Sequence, residues 1–223
     1  MNPSREPAGL TFAQIRESLY SAVVCDALDS LGYTRQSPRV ALPAMTDRRV
    51  LAGRCHTTLW ADMYHVDPRP YELELQAVDS CEPDSVLIAA AGGSMRSGIW
   101  GELLSTAASN RGCVGAIVDG AVRDVTKMQA MGFLCYARGT CIYDSRDRQR
   151  VIDVGVPVEI DGVIFAPGDL VLADADGVVV VPQAVEAECL QVAWEKVHAE
   201  NRVRDEIRGG MLAVDVFRKY GVL

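Results

Sequence analysis

Lysine is almost missing from this chain of 223 residues: only Lys127, Lys196 and Lys219 occur, and none sits in an apolar strand. Schiff-base catalysis needs an amine whose pKa burial has lowered, so it has no candidate here. Histidine is equally scarce, with His56, His65 and His198, and these do not cluster with cysteine. A zinc site wants grouped Cys and His, and no C-x-x-C occurs among the seven cysteines. Their odd number and apolar surroundings read as reduced core residues of a cytosolic protein. Positive charge is in deficit, with 22 Lys and Arg against 30 Asp and Glu, a net charge of −8. That leaves no basic footprint for nucleic acid. A small anionic substrate stays allowed, because one arginine and a metal reverse the field inside a single pocket. No apolar run approaches the roughly 20 residues that span a bilayer, and mean hydropathy is only +0.08. Met1-Asn-Pro-Ser-Arg-Glu-Pro-Ala has no apolar centre, so no signal peptide is expected and a cytoplasmic location is the default. Glycine motifs of the familiar kinds are also missing. Gly92-Gly-Ser-Met-Arg-Ser-Gly98 is neither a dinucleotide fingerprint nor a phosphate loop, and no G-x-S-x-G appears.

What is present is an apolar chain, 49% hydrophobic, with alternating element signals. Thr11-Phe-Ala-Gln14 is a capping box, and the apolar spacing of Phe12, Ile15, Leu19, Val23 and Ala27 predicts one helix over residues 11–31, ended by Gly32. Asp26 beside that stripe reads as a packing carboxylate. Residues 33–50 read as a loop, 55–60 as a strand, 61–69 as a polar loop and 71–78 as a short helix. Residues 85–90 form a continuous apolar run of buried-strand type. Residues 100–111 read as helix, 115–118 as strand, 124–131 as helix and 133–137 as strand, an α/β alternation. Beyond Asp153 the pattern turns to β, with a hairpin at Asp161-Gly162, strands over 170–173 and 177–181, and Pro182 as a stop. A long helix then covers residues 183–208, broken by Gly209-Gly210, and a short amphipathic tail ends at Leu223. No linker divides the chain, so one domain is expected over 1–223, with 183–223 as a helical extension.

Chemistry concentrates in Gly115-Ala-Ile-Val-Asp-Gly-Ala-Val-Arg-Asp124, read as a strand, a glycine turn, and then Arg123 and Asp124 at the start of a helix. A strand end leading into a helix is where α/β proteins keep their sites. Arg123 can fork onto a carboxylate, and Asp124 can hold a hard metal. The bland alternative makes Asp124 a helix cap and Arg123 half of a surface ion pair. Upstream, Gly101-Glu-Leu-Leu104 opens a helix. Its free N–H groups suit a substrate carboxylate, and Glu102 suits the helix dipole. In the long helix Leu190, Ala193 and Val197 form an apolar stripe, and Glu200 shares a face with Val203 and Ile207, which reads equally as a contact to a neighbouring subunit or as a solvated helix face.

Taken together, Ser21-Ala-Val-Val-Cys-Asp-Ala-Leu28, Trp100-Gly-Glu-Leu-Leu104, Val118-Asp-Gly-Ala-Val-Arg-Asp124, Gly132-Phe-Leu-Cys-Tyr-Ala-Arg-Gly139 and the stretch from Pro167 to Pro182 resemble a known family. This is the class II 4-hydroxy-4-methyl-2-oxoglutarate aldolase group, also called the regulator of ribonuclease E activity A-like family. The resemblance covers roughly residues 10–223. It implies an α/β, swivelling β/β/α-type layered fold with a mixed central sheet and a long C-terminal helix. It implies a homotrimer or homohexamer with sites at subunit boundaries, the helical extension lying there too. It also implies Mg²⁺- or Mn²⁺-dependent retro-aldol cleavage of a 4-hydroxy-2-oxo acid, of the 4-hydroxy-4-methyl-2-oxoglutarate or 4-carboxy-4-hydroxy-2-oxoadipate type, to pyruvate, with oxaloacetate decarboxylation as a side activity. Carried over by motif, backbone groups of Gly101, Glu102, Leu103 and Leu104 and the Arg123 side chain hold the substrate. Asp124 anchors the metal, and Glu200 of an adjacent subunit, with Glu195 in reserve, reaches the site. Two departures stand out: Glu102 replaces an aspartate common in the family, and Glu82-Pro-Asp-Ser85 replaces Pro-Gly-Asp. The competing expectation is a non-enzymatic protein that binds and regulates a ribonuclease. A methyltransferase is disfavoured, because no glycine-rich S-adenosylmethionine loop follows an early strand.

Overall fold

The computed structural model describes residues 9–221. The segment judged above not to be a signal peptide, and the last two residues of the tail, lie outside the described residues. The chain forms helices α1 (Phe12–Ser18) and α2 (Ser21–Ser30), strand β1 (Leu51–Asp62), α3 (Glu72–Asp79), β2 (Ser85–Ala90), β3 (Gly98–Trp100), α4 (Glu102–Asn110), β4 (Gly115–Val122), α5 (Val125–Ala130) and β5 (Leu134–Thr140). Then follow β6 (Gln149–Val154), β7 (Val158–Ile160), β8 (Val163–Phe165), β9 (Leu170–Ala173), β10 (Val178–Val181), α6 (Glu186–Arg208) and α7 (Ala213–Tyr220).

The central sheet is mixed, with the order β10-β9-β1-β2-β4-β3. β1, β2 and β4 run parallel, whereas β9 and β6 pair antiparallel with β1. β5 runs parallel along the other edge of β4. Alternation of side chains assigns the two faces. Leu87, Ala89, Ala116 and Val118 face one way, toward a core shared with α3, α4 and α5. Val86, Ile88 and Ile117 face the other way, toward Val158, Ile160, Val163 and Phe165 of the β7–β8 hairpin. Leu170, Leu172, Val179 and Val181 turn to a third cluster, under α1, α2 and α6. Hairpin, sheet and helices therefore stack as β, β and α layers around a mixed sheet, with the long helix α6 closing one end. Burial on both faces explains why β2 and β4 read as near-continuous apolar runs. The hairpin turns at Asp161-Gly162, with φ of 50° and 78°, the left-handed pair that a two-residue turn requires. All seven cysteines are free; five are buried and two half-buried.

Three expectations need correction. The helix over 11–31 is two helices, because Leu19 and Tyr20 are extended, with φ of −107° and −142°. The interruption keeps the apolar phase, so periodicity does not register it. The new N-terminus is held by a distant carboxylate: Asp174 accepts the Ser21 N–H and the Ser21 hydroxyl, both at 2.6 Å, and is itself buried. Asp174→Ala is expected to cost about 2 kcal/mol, since it strands buried donors; urea denaturation measures this. The second correction is at Asp119-Gly120, read as a turn but lying inside β4. The strand continues because β3 and β5 pair with Ala121 and Val122, and Arg138 forms an ion pair with the buried Asp119. The third is β3 itself, three residues from a segment read as loop and helix start. Its length gives no periodic signal.

Candidate functional site

Where β3 and β4 end side by side, a cavity of about 260 Å³ opens between α3, α4 and the loop after β5. The parallel pairing of β3 with β4 puts two strand-to-helix transitions next to each other, Trp100-Gly101 into α4 and Arg123-Asp124 into α5. The Arg123 N–H donates to the Trp100 carbonyl at 2.8 Å, locking the two together. Trp100 is fully buried, stacks on Phe133 and donates its indole N–H to Ser105 at 2.9 Å, which fixes the start of α4. Gly101 is needed for close approach: a Cβ there would lie 2.9 Å from Asp124 Oδ2 and 3.2 Å from Arg123 Cγ. Gly101→Ala is expected to push both side chains out of place and lower turnover about tenfold, with melting within a few degrees of the parent; steady-state kinetics and a thermal melt on one preparation check this.

Arg123, Asp124, Gly101, Leu103 and Leu104 all line the cavity. Asp124 occupies the position before α5, yet it does not cap it. Its backbone is left-handed, with φ 56° and ψ 29°, and its side chain makes no cap hydrogen bond. The carboxylate is exposed and carries no ion pair among the described residues, so it is available to a ligand. Arg123 is half-buried and reaches Asp144, with Nη2 to Oδ2 at 2.7 Å. Asp144 also accepts the Tyr71 hydroxyl at 2.7 Å and the Arg146 N–H at 2.8 Å. Burial alone would raise the Asp144 pKa, but these donors and the guanidinium outweigh it and hold the carboxyl below its usual range. Tyr71 is pushed up to about 12, by burial first and then by its bond to Asp144. Its backbone is left-handed as well, φ 65°. Two non-glycine residues in that uncommon conformation thus face one cavity, the kind of strain that gathers at sites.

The N–H groups at the start of α4 have no side-chain cap. They therefore offer donors and a positive dipole end to an anion. Glu102 is not among the residues lining this cavity and instead lines a separate shallow groove with Thr106 and Lys127. Glu200 accepts the Tyr20 hydroxyl, and Glu195 accepts from Gln191 at 2.6 Å. Neither is among the residues lining the cavity of its own chain. None of the three lysines or three histidines lines it either. Asp26 on α2 is exposed and forms an ion pair with Lys196 of α6.

Sequence reasoning missed Tyr71, Glu74, Asp144 and Ser145. Asp144 and Ser145 lie in an irregular loop and carried no signal. Glu74 did: Ala77 and Val78 follow at helical spacing and are buried, which puts its carboxyl on the inner face of α3.

Among the described residues, no group of three or more His, Cys, Asp or Glu side chains is placed to hold a metal. A closed protein cage is therefore not what this cavity offers. One uncommitted carboxylate, Asp124, suits a hard ion that keeps most of its own water.

Known proteins share this architecture. A relative from Halalkalibacterium halodurans, provisionally named a 4-hydroxy-4-methyl-2-oxoglutarate aldolase, is 33% identical over 144 residues, covering 64% of this chain and 68% of the relative. The crystal structure of an uncharacterized protein from Pseudomonas syringae pv. tomato superposes with a TM-score of 0.80 at 26% identity, covering 95% of this chain and 99% of that one. Streptomyces coelicolor RraAS2, described as an unusual member of the RNase ES inhibitor RraA protein family, superposes with a TM-score of 0.72 at 26% identity, covering 92% of this chain and all of that one. The RraA-like family model, described as Aldolase/RraA, matches residues 21–180. That span runs from α2 through both strand ends of the cavity and into β10, so the residues that build the site lie inside the matched region and the chain belongs to the RraA-like family.

Proposed function

We propose that this chain is a lyase that cleaves a 4-hydroxy-2-oxo acid to pyruvate with the help of a divalent metal, and that it also decarboxylates oxaloacetate. The observation that carries this reading is the convergence of Arg123, the uncommitted Asp124 carboxylate and the free N–H groups of α4 on one cavity without any lysine. Aldol cleavage needs a sink for the enolate charge, and without an amine that sink is electrostatic.

In this mechanism the α4 N-terminus and Arg123 take the 2-oxo acid head of the substrate. Asp144 and Tyr71 hold the guanidinium in place from behind. Leu103 and Leu104 form the apolar wall of the cavity on the α4 side. A Mg²⁺ or Mn²⁺ ion held by Asp124 would supply Lewis-acid stabilisation of the enolate oxygen. Water accepts the C4 hydroxyl proton, the C3–C4 bond opens, and Arg123 shares the developing negative charge. The same enolate arises when oxaloacetate loses carbon dioxide, which is why one site would serve both reactions. Leu103, Ile142 and Tyr143 are exposed beside the cavity, an apolar rim suited to a second copy in a trimer or hexamer. A carboxylate of that copy's long helix, Glu200 first, would approach from there.

The test is pyruvate release, coupled to lactate dehydrogenase, from 4-hydroxy-4-methyl-2-oxoglutarate and from oxaloacetate, with Mg²⁺ and with EDTA. Metal-dependent release from both is expected. Silence on both with folded, metal-loaded protein would turn the assignment to the second reading, a regulator that binds a ribonuclease. The likeness to Streptomyces coelicolor RraAS2 favours that alternative over nearly the full length of this chain.

A further inference from the structure

Glu74 is the one carboxyl of the cavity that is buried, at 7% exposure. It has no cation within ion-pair distance among the described residues, and its one hydrogen bond comes from the Ser145 hydroxyl at a long 3.5 Å. A buried carboxylate without a partner is costly, so such a group is held as the acid. The neighbouring charges agree. Burial raises its pKa first and Asp144 adds repulsion, while Ser145 and Arg123 pull the other way, and the balance lies at about 8. Tyr71 and Asp124 are the remaining titratable groups on the cavity. From α4 only Gly101, Leu103 and Leu104 reach it, and Arg150 of β6 is turned to Asp67 at 3.3 Å.

We propose that Glu74 is the acid that delivers the proton to C3 of the pyruvate enolate. The assignment rests on the aldolase reading and extends it to a residue that the Arg123-Asp124 motif does not include. In the step, the Glu74 O–H bond breaks and a C3–H bond forms from the enolate electron pair. The carboxylate left behind regains a proton from solvent. The C4 hydroxyl proton has gone to water, so no proton is gained or lost over the cycle. Carbon protonation is slow without a positioned donor, and a donor with its pKa near the working pH does it best. Glu74 of α3 lines the same cavity as Arg123 and the start of α4, and the assignment puts C3 of the bound acid between them. Asp144 has two duties, holding Arg123 and keeping Glu74 protonated.

The experiment compares the full chain with Glu74→Gln and Glu74→Asp, using 4-hydroxy-4-methyl-2-oxoglutarate, oxaloacetate and pyruvate with Mg²⁺, between pH 6 and 10. In the parent, kcat for oxaloacetate is expected to fall as pH rises through about 8, because the ionised carboxyl no longer donates. Glu74→Gln is expected to lose about a hundredfold in kcat with KM within about threefold, to lack that alkaline limb, and to lose deuterium exchange into the methyl group of pyruvate by proton NMR. Glu74→Asp is expected to recover part of the rate. A Glu74→Gln enzyme with more than half the parent kcat, or with the alkaline limb unchanged, would overturn the assignment while leaving the aldolase reading intact. A silent parent would overturn both. If Glu74→Gln does not fold, the parent profile decides alone, and its lack of an ionisation near pH 8 overturns the assignment.

Discussion

Arg123→Ala is expected to lower kcat/KM for pyruvate formation by about a thousandfold, the scale on which enzymes lose rate when a preorganised charge donor is removed from a developing oxyanion. The loss should fall on both kcat and KM, because the guanidinium is placed to meet the substrate before and after the bond breaks. The fold should hold. The Arg123 and Asp144 side chains are each 36% exposed, and ion pairs of that exposure contribute about 0–1 kcal/mol. Asp144 keeps Tyr71 and the Arg146 N–H as donors, so its charge is not stranded. Arg123→Lys is expected to recover only a small part of the rate, since an ammonium cannot hold Asp144 and the substrate in one plane. Steady-state kinetics and melting curves on the three proteins check this. The variant also bears on the proton: Arg123 pulls the Glu74 pKa down, so any residual activity of Arg123→Ala should lose its alkaline limb at a higher pH than the parent.

The second large effect is at Asp124. Asparagine is the informative replacement, because it tolerates the left-handed backbone at φ 56°, whereas alanine adds a strain of about 1 kcal/mol. Asp124→Asn removes the charge and little else, since the carboxylate caps no helix and pairs with no cation among the described residues. We expect at least a hundredfold loss of turnover at saturating Mg²⁺, as for removal of a metal-anchoring ligand. Mn²⁺ binding followed by electron paramagnetic resonance should weaken in parallel, a readout that does not depend on activity. Near-normal rates or unchanged Mn²⁺ binding in Asp124→Asn would remove the metal from the mechanism.

The Glu74 carboxyl also ties activity to stability. Its folded pKa lies above that of an exposed glutamate, so between roughly pH 4.5 and 8 the folded state holds the extra proton. Its contribution is complete below the unfolded value and is lost as pH rises through the folded one. At pH 8 a neutral glutamine relieves that penalty. Glu74→Gln should therefore melt no lower than the parent there, even as its turnover falls.

Local pattern determined much of this protein. Binary alternation and turn residues located β2, the Asp161-Gly162 hairpin, β9, β10 and the long helix α6, because each is a contiguous segment whose own burial dictates its residues. The neighbouring Arg123 and Asp124, at a strand end, likewise marked the cavity. Tertiary structure decided the rest. The break at Leu19-Tyr20 exists because Asp174, 153 residues away in sequence, supplies the missing hydrogen bonds to Ser21. β4 passes through Asp119-Gly120 because β3 and β5 flank it and Arg138 neutralises Asp119. Asp144 and Glu74 join Arg123 only when the loop after β5 and the inner face of α3 meet over the ends of β3 and β4. Sequence periodicity reports which face of a segment is buried. Which charge waits on the other side of the cavity depends on segments that meet only in the folded chain.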